Sequence, residues 1–424
     1  MLDIKIIRES PDLVKKAISD RGLQLDITEI LNLDVQRRKL LVEVEDLKHK
    51  KNTASNEIAK LMKERKNAKE SIGKMKIISQ KIDEIDTKVE EIDQKLGNLM
   101  LLIPNISHNS VPIGPDNSFN KVVKTWGEAK ELEFLALTHI QLCEGLDIID
   151  FPRAAKIAGS NFPLYKGLGA RLERALINFM LDLHTKKHGY QEISPPFMVN
   201  RASMTGTGQL PKLELDMYRL KDDDFFLVPT AEVPLTNIYR DEVLKEEELP
   251  IYYTAYTPCF RREAGSYGKT TKGLTRVHQF DKVELVKFTS PETSYQEHEK
   301  LLADAEQVLQ LLGLPYRVVL LSTGDLSFAA SKCYDIEAWA AGSKMWLEVS
   351  SCSNFEDFQA RRANIRYRSK EINKKLNFVH TLNGSGVALA RTVIAILENY
   401  QQKDGTVVIP QVLRPYMDGL EIIK

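Results

Sequence analysis

This sequence has few cysteines, no net charge and no long apolar run. Its 424 residues include 4 cysteines, scattered without a C-x-x-C pair, which argues against a zinc site or a disulfide framework and suits a reducing cytosol. Basic and acidic residues both number 59, so any polyanion site must come from a local cluster. No run of about 18 apolar residues occurs, and the start MLDIKIIRES has no signal-peptide core. We therefore expect a soluble cytoplasmic protein that binds neither a membrane nor DNA.

Two common nucleotide-binding motifs are also missing. The sequence contains no G-x-x-x-x-G-K-[ST] and no G-x-G-x-x-G after a predicted strand. A nucleotide site in this chain must therefore be built without a P-loop or a Rossmann turn.

The first hundred residues are typical of a coiled-coil arm. Apolar residues recur at steps of three and four, or their multiples, with charged residues between them. They form two sets: Leu33, Leu40, Val44, Leu47, Ala54, Ile58 and Leu61, then Met75, Ile78, Ile82, Ile85, Val89, Ile92, Leu96 and Leu99. Two helices of about 30 residues, joined near Gly73, would form an antiparallel hairpin about 45 Å long within residues 27–100. Pro104 ends the second helix.

The predicted turn of this hairpin is basic. Residues 60–76 contain seven lysines and arginines against two glutamates. A basic tip on a long arm suits the phosphate backbone of RNA. The candidate RNA-binding residues are Lys60, Lys63, Arg65, Lys66 and Lys69. The alternative is a dimerisation or spacer arm whose charges are only solvated surface.

The residues after the arm predict a larger, compact unit. We expect an N-terminal domain at 1–105, a linker with short elements at 106–165, and a main domain at 166–424. In the last range, strand-like runs such as LPIYYTAYTPCF and HQFDKVELVKF follow one another without βαβ alternation. The predicted fold class is α+β, with a mostly antiparallel sheet flanked by helices. One flanking helix is predicted to have Ser290 as its N-cap and Pro291 at its first position.

The stretch FRREAGSYGKTTKGLTRVHQF combines cations, a carboxylate and an aromatic ring around a glycine-containing loop. The residues concerned are Arg261, Arg262, Glu263, Arg276 and Phe280. A guanidinium matches phosphate oxygens, the ring can stack on a base, and the carboxylate can accept from an exocyclic amine. The glycines would let a mobile loop close over the ligand. Surface ion pairs on a hairpin are the alternative, but the combination of features favours a nucleotide site.

Five motifs in this order resemble the seryl-tRNA synthetase family of class II aminoacyl-tRNA synthetases. They are GTGQLPK, PTAEVPLTN, FRREAG…GLTRVHQFDKVELV, LEVSSCSNFEDFQARRANIRYR and LNGSGVALARTVIAILENYQ. With the arm, the resemblance spans essentially the whole chain. It implies a class II catalytic domain at 166–424, a tRNA-binding domain at 1–105 and a homodimer. It also implies ATP-dependent activation of L-serine to seryl-adenylate, then transfer of serine to tRNA(Ser), and to tRNA(Sec) where that tRNA exists.

The resemblance assigns residues to the nucleotide. Arg261 would hold the α-phosphate, Glu263 the adenine amine and Arg276 the γ-phosphate, while Phe280 and Arg391 would enclose the adenine. Glu348 and Ser351 would hold Mg²⁺. The full ATP-binding set is Arg261, Arg262, Glu263, Arg276, Val277, Phe280, Glu348, Val349, Ser350, Ser351 and Arg391, of which Arg261, Glu348 and Arg391 are the catalytic candidates.

The resemblance also assigns a serine pocket, formed by Thr230, Ala231, Glu232, Arg261, Glu284, Asn383 and Ser385. Such a pocket must reject alanine and glycine, and buried polar groups that alanine leaves unpaired provide that discrimination. The helix beginning near residue 168 and the strand with Pro195 and Pro196 resemble the motif that builds the dimer interface.

Two positions depart from the family pattern, Thr270 in the loop and Ala390 before Arg391. Neither removes a predicted catalytic group. Two rival functions stay open: an amino-acid ligase that loads a carrier protein, and a catalytically silent RNA-binding relative. The arm counts against the first, since such ligases tend to lack it, and the intact arginines count against the second.

Overall fold

The structure is a computed structural model, and it describes residues 1–129, 131–264, 272–370 and 375–424. The chain divides into two compact units. One comprises residues 2–19 and 23–104, and the other comprises Met1, residues 20–22 and residues 105–424. In the described ranges, no helix has the length and hydropathy needed to cross a membrane.

The smaller unit is helical. Its helices are α1 (Ile4–Glu9), α2 (Pro11–Asp20), α3 (Thr28–Lys63) and α4 (Lys69–Met100). The two long helices run antiparallel, because ion pairs join Arg37 to Asp93 and, further along α3, Lys48 to Asp86. Between them lies the apolar seam that the heptad pattern predicts, formed by Val44, Leu47, Ile82, Ile85 and Val89. The predicted coiled-coil arm is confirmed.

The position of the turn differs from the sequence prediction. The helices are separated by residues 64–68, and Gly73 lies inside α4 rather than at the joint. Arg65 makes the reversal in the left-handed region, with φ of 56°, while Asn67 accepts a hydrogen bond from the main-chain N–H of Lys69. A glycine inside a helix costs only about 1 kcal/mol, so Gly73 was a misleading signal. All five candidate RNA-binding residues are exposed around this turn.

The larger unit is built on an eight-stranded sheet. Its spatial order is β1 (Lys121–Trp126), β8 (Tyr316–Leu320), β9 (Lys332–Ala340), β10 (Met345–Asn354), β13 (His380–Ala388), β7 (Gln279–Thr289), β6 (Ile251–Phe260) and β2 (Gln191–Glu192). All neighbours pair antiparallel except β2 with β6. The predicted mostly antiparallel sheet is confirmed, and its edge strand β1 comes from the range expected to be a linker.

Shorter strands and helices surround this sheet. The strands are β3 (Met198–Asn200), β4 (Phe225–Leu227), β5 (Val243–Lys245), β11 (Arg366–Arg368), β12 (Leu376–Phe378), β14 (Val407–Val408) and β15 (Ile422–Ile423). The helices are α5 (His139–Gly145), α6 (Phe151–Ala158), α7 (Leu168–Lys186), α8 (Arg201–Thr207), α9 (Glu232–Thr236), α10 (Ser294–Leu312), α11 (Phe358–Ala363) and α12 (Leu389–Tyr400).

Helices α7, α10 and α12 pack on the sheet and form the main core with it. Their buried residues include Leu176, Leu309 and Ile394. Helix α10 begins at Ser294, three residues later than the sequence predicts, with Thr293 rather than Ser290 as its N-cap. Residues 291–293 instead form a turn in which the Thr293 hydroxyl lies 3.3 Å from that of Ser290.

Candidate active site

A cavity of about 410 Å³ opens on the large sheet. It gathers predicted site residues from four of the five motifs: Thr230, Glu232, Arg261, Glu263, Arg276, Val277, Phe280, Glu284, Glu348, Val349, Ser350, Ser351, Asn383, Ser385 and Arg391. Two other predicted site residues are not part of the described lining. Ala231 is fully buried in an apolar cluster. Arg262 has an exposed side chain, and its main-chain N–H donates to the carbonyl of Asp216.

Strand geometry explains this convergence. Phe280, Lys282 and Glu284 alternate along β7 and therefore point to one face of the sheet. Ser385 on β13 is the register partner of Glu284, which brings the last of the five motifs beside the third. On β10, the register shifts between Glu348 and Ser350, and such a bulge re-aims the side chains around it.

Arginine and an aromatic ring lie together at one end of the cavity. The guanidinium carbon of Arg261 is 5.2 Å from the centre of the Phe280 ring, and its Nε donates to the carbonyl of Pro229 at 3.3 Å. Nearby, Arg276 Nη1 lies 3.2 Å from Glu263 Oε2. This end of the cavity thus holds cations, one carboxylate and a stacking face, the groups that a nucleotide requires.

Arg391 reaches from α12 to the bulge of β10. Its Nη1 donates to the main-chain carbonyl of Glu348 at 2.8 Å and lies 3.3 Å from the carboxylate of the same residue. Its Nε donates to the carbonyl of Thr275 at 3.2 Å. The arginine therefore connects three motifs that are far apart in the sequence.

Glu348 and Ser351 offer a carboxylate and a hydroxyl to the same cavity. Behind them, the buried Asp335 forms a hydrogen bond with Ser351, and burial followed by the nearby Glu348 raises the pKa of Asp335. Over the residues that the structure describes, no three or more His, Cys, Asp or Glu side chains are grouped to hold a metal. The donor set fits Mg²⁺, which usually takes one or two protein ligands and completes its shell with phosphates and water.

The other end of the cavity contains two buried carboxylates. Glu284 Oε2 lies 2.5 Å from Lys282 Nζ, which also donates to the Thr230 hydroxyl at 2.8 Å. Glu232 Oε1 accepts from the Gln359 amide at 2.6 Å. Burial, then the charge of Glu284, raises the pKa of Glu232 to about 7. A small polar zwitterion is the kind of ligand that such a pocket can satisfy.

Two polar residues near this end of the cavity, Lys282 and Gln359, were not predicted from the sequence. Lys282 could have been found, because it precedes Glu284 by two residues on a strand and must share its face. Gln359 belongs to one of the five motifs, but no spacing signal brings it to Glu232.

A third missed feature connects the loop after β6 to α12. His139 Nε2 accepts from the main-chain N–H of Leu274 at 3.2 Å, so its Nδ1 carries the proton and donates to Glu398 at 3.1 Å. Burial acts to raise the pKa of Glu398, but hydrogen bonds from His139 and Ser343 hold it below its usual value. Residues 265–271 of the loop, including Thr270 and the predicted mobile segment, lie outside the described residues.

Comparisons with known proteins agree with these motifs. Residues 215–400 match the family model of the tRNA synthetase class II core domain (G, H, P, S and T), and residues 1–107 match the seryl-tRNA synthetase N-terminal domain. The serine–tRNA ligase of Thermodesulfovibrio yellowstonii is 56% identical, over 100% of both chains. That of Caldanaerobacter subterraneus subsp. tengcongensis is 59% identical over 98% of both.

Solved structures that resemble this chain include two enzymes with the same name as these relatives or a synonym of it. The seryl-tRNA synthetase of Pyrococcus horikoshii complexed with ATP has a TM-score of 0.92 and 41% identity, covering 100% of this chain and 99% of that one. The cytoplasmic serine–tRNA ligase of Naegleria fowleri in complex with AMP has a TM-score of 0.88 and 28% identity at the same coverage. With its motifs and its full length matched, the chain belongs to the seryl-tRNA synthetase family.

Proposed function

We propose that this chain activates L-serine with ATP and transfers the seryl group to tRNA(Ser), and to tRNA(Sec) where the cell has it. A serine carboxylate oxygen attacks the α-phosphorus, and pyrophosphate leaves. A hydroxyl of the 3′-terminal ribose then attacks the carbonyl of seryl-adenylate, and AMP leaves. The observation that carries the proposal is the convergence of cations at one end of a single cavity and buried carboxylates at the other.

In this proposal, the arginines bind and orient the triphosphate. Arg261 contacts the α-phosphate and the serine carboxylate, Arg276 contacts the γ-phosphate, and Arg391 encloses the adenine with Phe280. Charge develops on the leaving pyrophosphate, and fixed guanidinium groups stabilise it without needing to reorganise. Alignment of the two reactants and this stabilisation account for catalysis, so no general base is required.

Glu348 and Ser351 would hold Mg²⁺ in this site. A bound Mg²⁺ would supply positive charge that neutralises part of the charge of the phosphates. The Glu348 carboxylate is half-exposed and pairs with Arg391, so it is accessible from the cavity.

The pocket at the other end is assigned to serine. Its polar groups are buried, with Thr230, Glu232 and Glu284 at most 7% exposed. Alanine would leave one of these groups without a partner, and the loss of such a buried hydrogen bond gives strong discrimination. Glycine is rejected for the same reason.

The helical arm is assigned to the tRNA body. The basic turn between α3 and α4 exposes the lysines and the arginine that would contact RNA phosphates. We further propose that the protein is a cytoplasmic homodimer, joined through the region of α7 and the segment that contains Pro195 and Pro196.

Amino-acid-dependent exchange of pyrophosphate with ATP tests the proposed function. Each of the 20 common amino acids is assayed separately, and charging is then measured with serine and tRNA(Ser). We expect exchange with serine alone and charging of tRNA(Ser). Exchange without charging would instead support the carrier-protein ligase, and no exchange with any amino acid would support the silent relative.

A further inference from the structure

Gln359 lies behind the serine end of the cavity and is fully buried on α11. Its amide nitrogen donates to Glu232 Oε1 at 2.6 Å and to the main-chain carbonyl of Thr207 at 3.1 Å. Its amide oxygen accepts from the hydroxyl of Thr381 at 2.7 Å. Thr381 is itself fully buried on β13. Every polar atom of this side chain therefore has a partner.

These contacts leave the Gln359 amide only one orientation. Two acceptors, the Glu232 carboxylate and the Thr207 carbonyl, face the same end of the amide, so that end must be the NH₂ group. A flipped amide would point its oxygen at both acceptors. Buried acceptor oxygens that face one another without a donor repel, and this costs free energy of folding. The Thr381 hydroxyl adds a donor at the opposite end, where only the amide oxygen can accept.

We propose that Gln359 is a positioning residue for serine recognition, which fixes one oxygen of the Glu232 carboxylate so that the rest of that carboxylate faces the amino acid. Thr381 supports it by fixing the amide. This inference rests on the proposed function, because it concerns the serine end of the same cavity. Gln359 is not part of the described cavity lining, so it acts through Glu232 rather than by touching the substrate.

The charges around Glu232 explain why such a donor is needed. Glu284 is a like charge, and burial also disfavours the ionised form of Glu232. Lys282 and Arg261 oppose these effects from β7 and from the end of β6, and the hydrogen bond from Gln359 opposes them from α11. Without it, the carboxylate would lose both its orientation and part of the stabilisation of its charge.

Kinetics of pyrophosphate exchange test this role. In Gln359→Met, which keeps the length of the side chain but cannot donate, we expect the KM for serine to rise at least tenfold while the KM for ATP stays within twofold. Thr381→Val should raise the serine KM two- to fivefold, and Thr381→Ser should restore it. Gln310→Met is the matched control, because Gln310 lies on α10, outside the cavity lining, and donates to the hydroxyl of Tyr316 on β8. It should leave both constants unchanged.

Gln359→Glu gives a second test that does not depend on loss of volume. Its carboxyl can donate to Glu232 only when protonated, so the kcat/KM for serine should fall from pH 6 to pH 8, whereas that of the wild type should rise. Circular dichroism checks that each variant folds, and if Gln359→Met does not, Gln359→Glu and Thr381→Val decide the question.

The outcomes separate this inference from the proposed function. If the wild-type protein shows no serine-dependent pyrophosphate exchange, both the proposed function and the role of Gln359 are contradicted. A wild type that exchanges, with variants whose serine KM stays within twofold, overturns only the role of Gln359. Equal losses for serine and ATP would indicate a purely structural residue and would overturn it as well.

Discussion

Arg276 and Glu263 form an ion pair inside the cavity, with 3.2 Å between Nη1 and Oε2. The pair joins two groups that we assign to opposite ends of ATP, the γ-phosphate and the adenine amine. Glu263 holds its position with φ of 50°, in the left-handed region that non-glycine residues seldom adopt. We infer that the nucleotide replaces this contact when it binds, so each partner exchanges one polar contact for another.

Substitutions of Glu263 separate the ion pair from adenine recognition. Glu263→Gln keeps an oxygen that can accept from the adenine amine, so the KM for ATP should change less than threefold. Glu263→Ala removes the acceptor and should raise that KM about tenfold, as expected for one lost hydrogen bond worth about 1.4 kcal/mol. The serine KM, measured in the same exchange assay, should stay within twofold. Equal effects of the two variants on ATP would contradict the adenine contact.

We assign Arg261 to the reacting α-phosphate, and we therefore expect its loss to affect activation strongly. Arg261→Ala should lower the exchange rate at least about 100-fold, because it removes a cation aimed at the reacting phosphate. Among the described residues, its half-buried guanidinium donates one hydrogen bond, to the Pro229 carbonyl, so urea unfolding should show a loss of only about 1 kcal/mol. Arg219→Ala is the control: this arginine also stacks on a ring, that of Phe226, but is not part of the described lining. An unchanged exchange rate in Arg261→Ala would contradict the assignment of Arg261 to the α-phosphate.

The raised pKa of Glu232 predicts how serine binding depends on pH. With a pKa of about 7, the carboxylate is mostly protonated at pH 6 and mostly ionised at pH 8. Since the serine ammonium prefers the ionised form, the kcat/KM for serine should rise about tenfold over this range. The KM for ATP serves as the internal control. A flat serine profile would show that Glu232 ionises normally or does not contact the ammonium.

The raised pKa of Glu232 also affects the stability of the free protein. This stability should fall as pH rises, whereas the kcat/KM for serine should rise. An acid whose pKa is higher in the folded than in the unfolded state contributes stability at low pH and loses it as pH rises through the folded value. For a rise from 4.5 to about 7, the loss is on the order of 3 kcal/mol once Glu232 is fully ionised. Urea unfolding should therefore show the wild type losing more stability than Glu232→Gln between pH 5 and pH 8. Added serine should reduce the difference.

The helical arm should matter for charging but not for activation. We suggest deleting residues 39–90 and closing the gap with a short Gly-Ser turn. This choice keeps the ion pair between Arg37 and Asp93 and the one between Arg38 and Asp34. Exchange should stay within twofold, while charging should fall at least 100-fold because the RNA contacts are gone. Charging at the wild-type rate would contradict the role assigned to the arm.

Periodic patterns in the sequence predicted most of the fold. The heptad seam of Val44, Ile82 and Val89 and the alternation of Phe280 with Glu284 both appear in the structure. Such patterns report which residues share a face, but they say less about where the chain turns. The turn at 64–68 depends on the left-handed conformation of Arg65, and composition pointed to Gly73 instead.

Contacts between distant motifs could not be predicted from spacing. Glu232 and Gln359 meet only because α9 and α11 pack beside the same sheet. The contact of His139 with Glu398 depends on α5 lying against α12 in the same way. No spacing in the sequence brings Gln359 to Glu232 or His139 to Glu398, so these contacts could not be predicted.

A crystal structure of the chain with a non-hydrolysable sulfamoyl analogue of seryl-adenylate would show whether the motifs converge on one site for serine and the nucleotide. We expect the adenine between Phe280 and Arg391, the sulfamoyl group against Arg261, and the seryl group among Thr230, Glu232 and Glu284. An analogue bound elsewhere, or one that leaves Arg261 and Arg391 out of contact, would contradict this expectation.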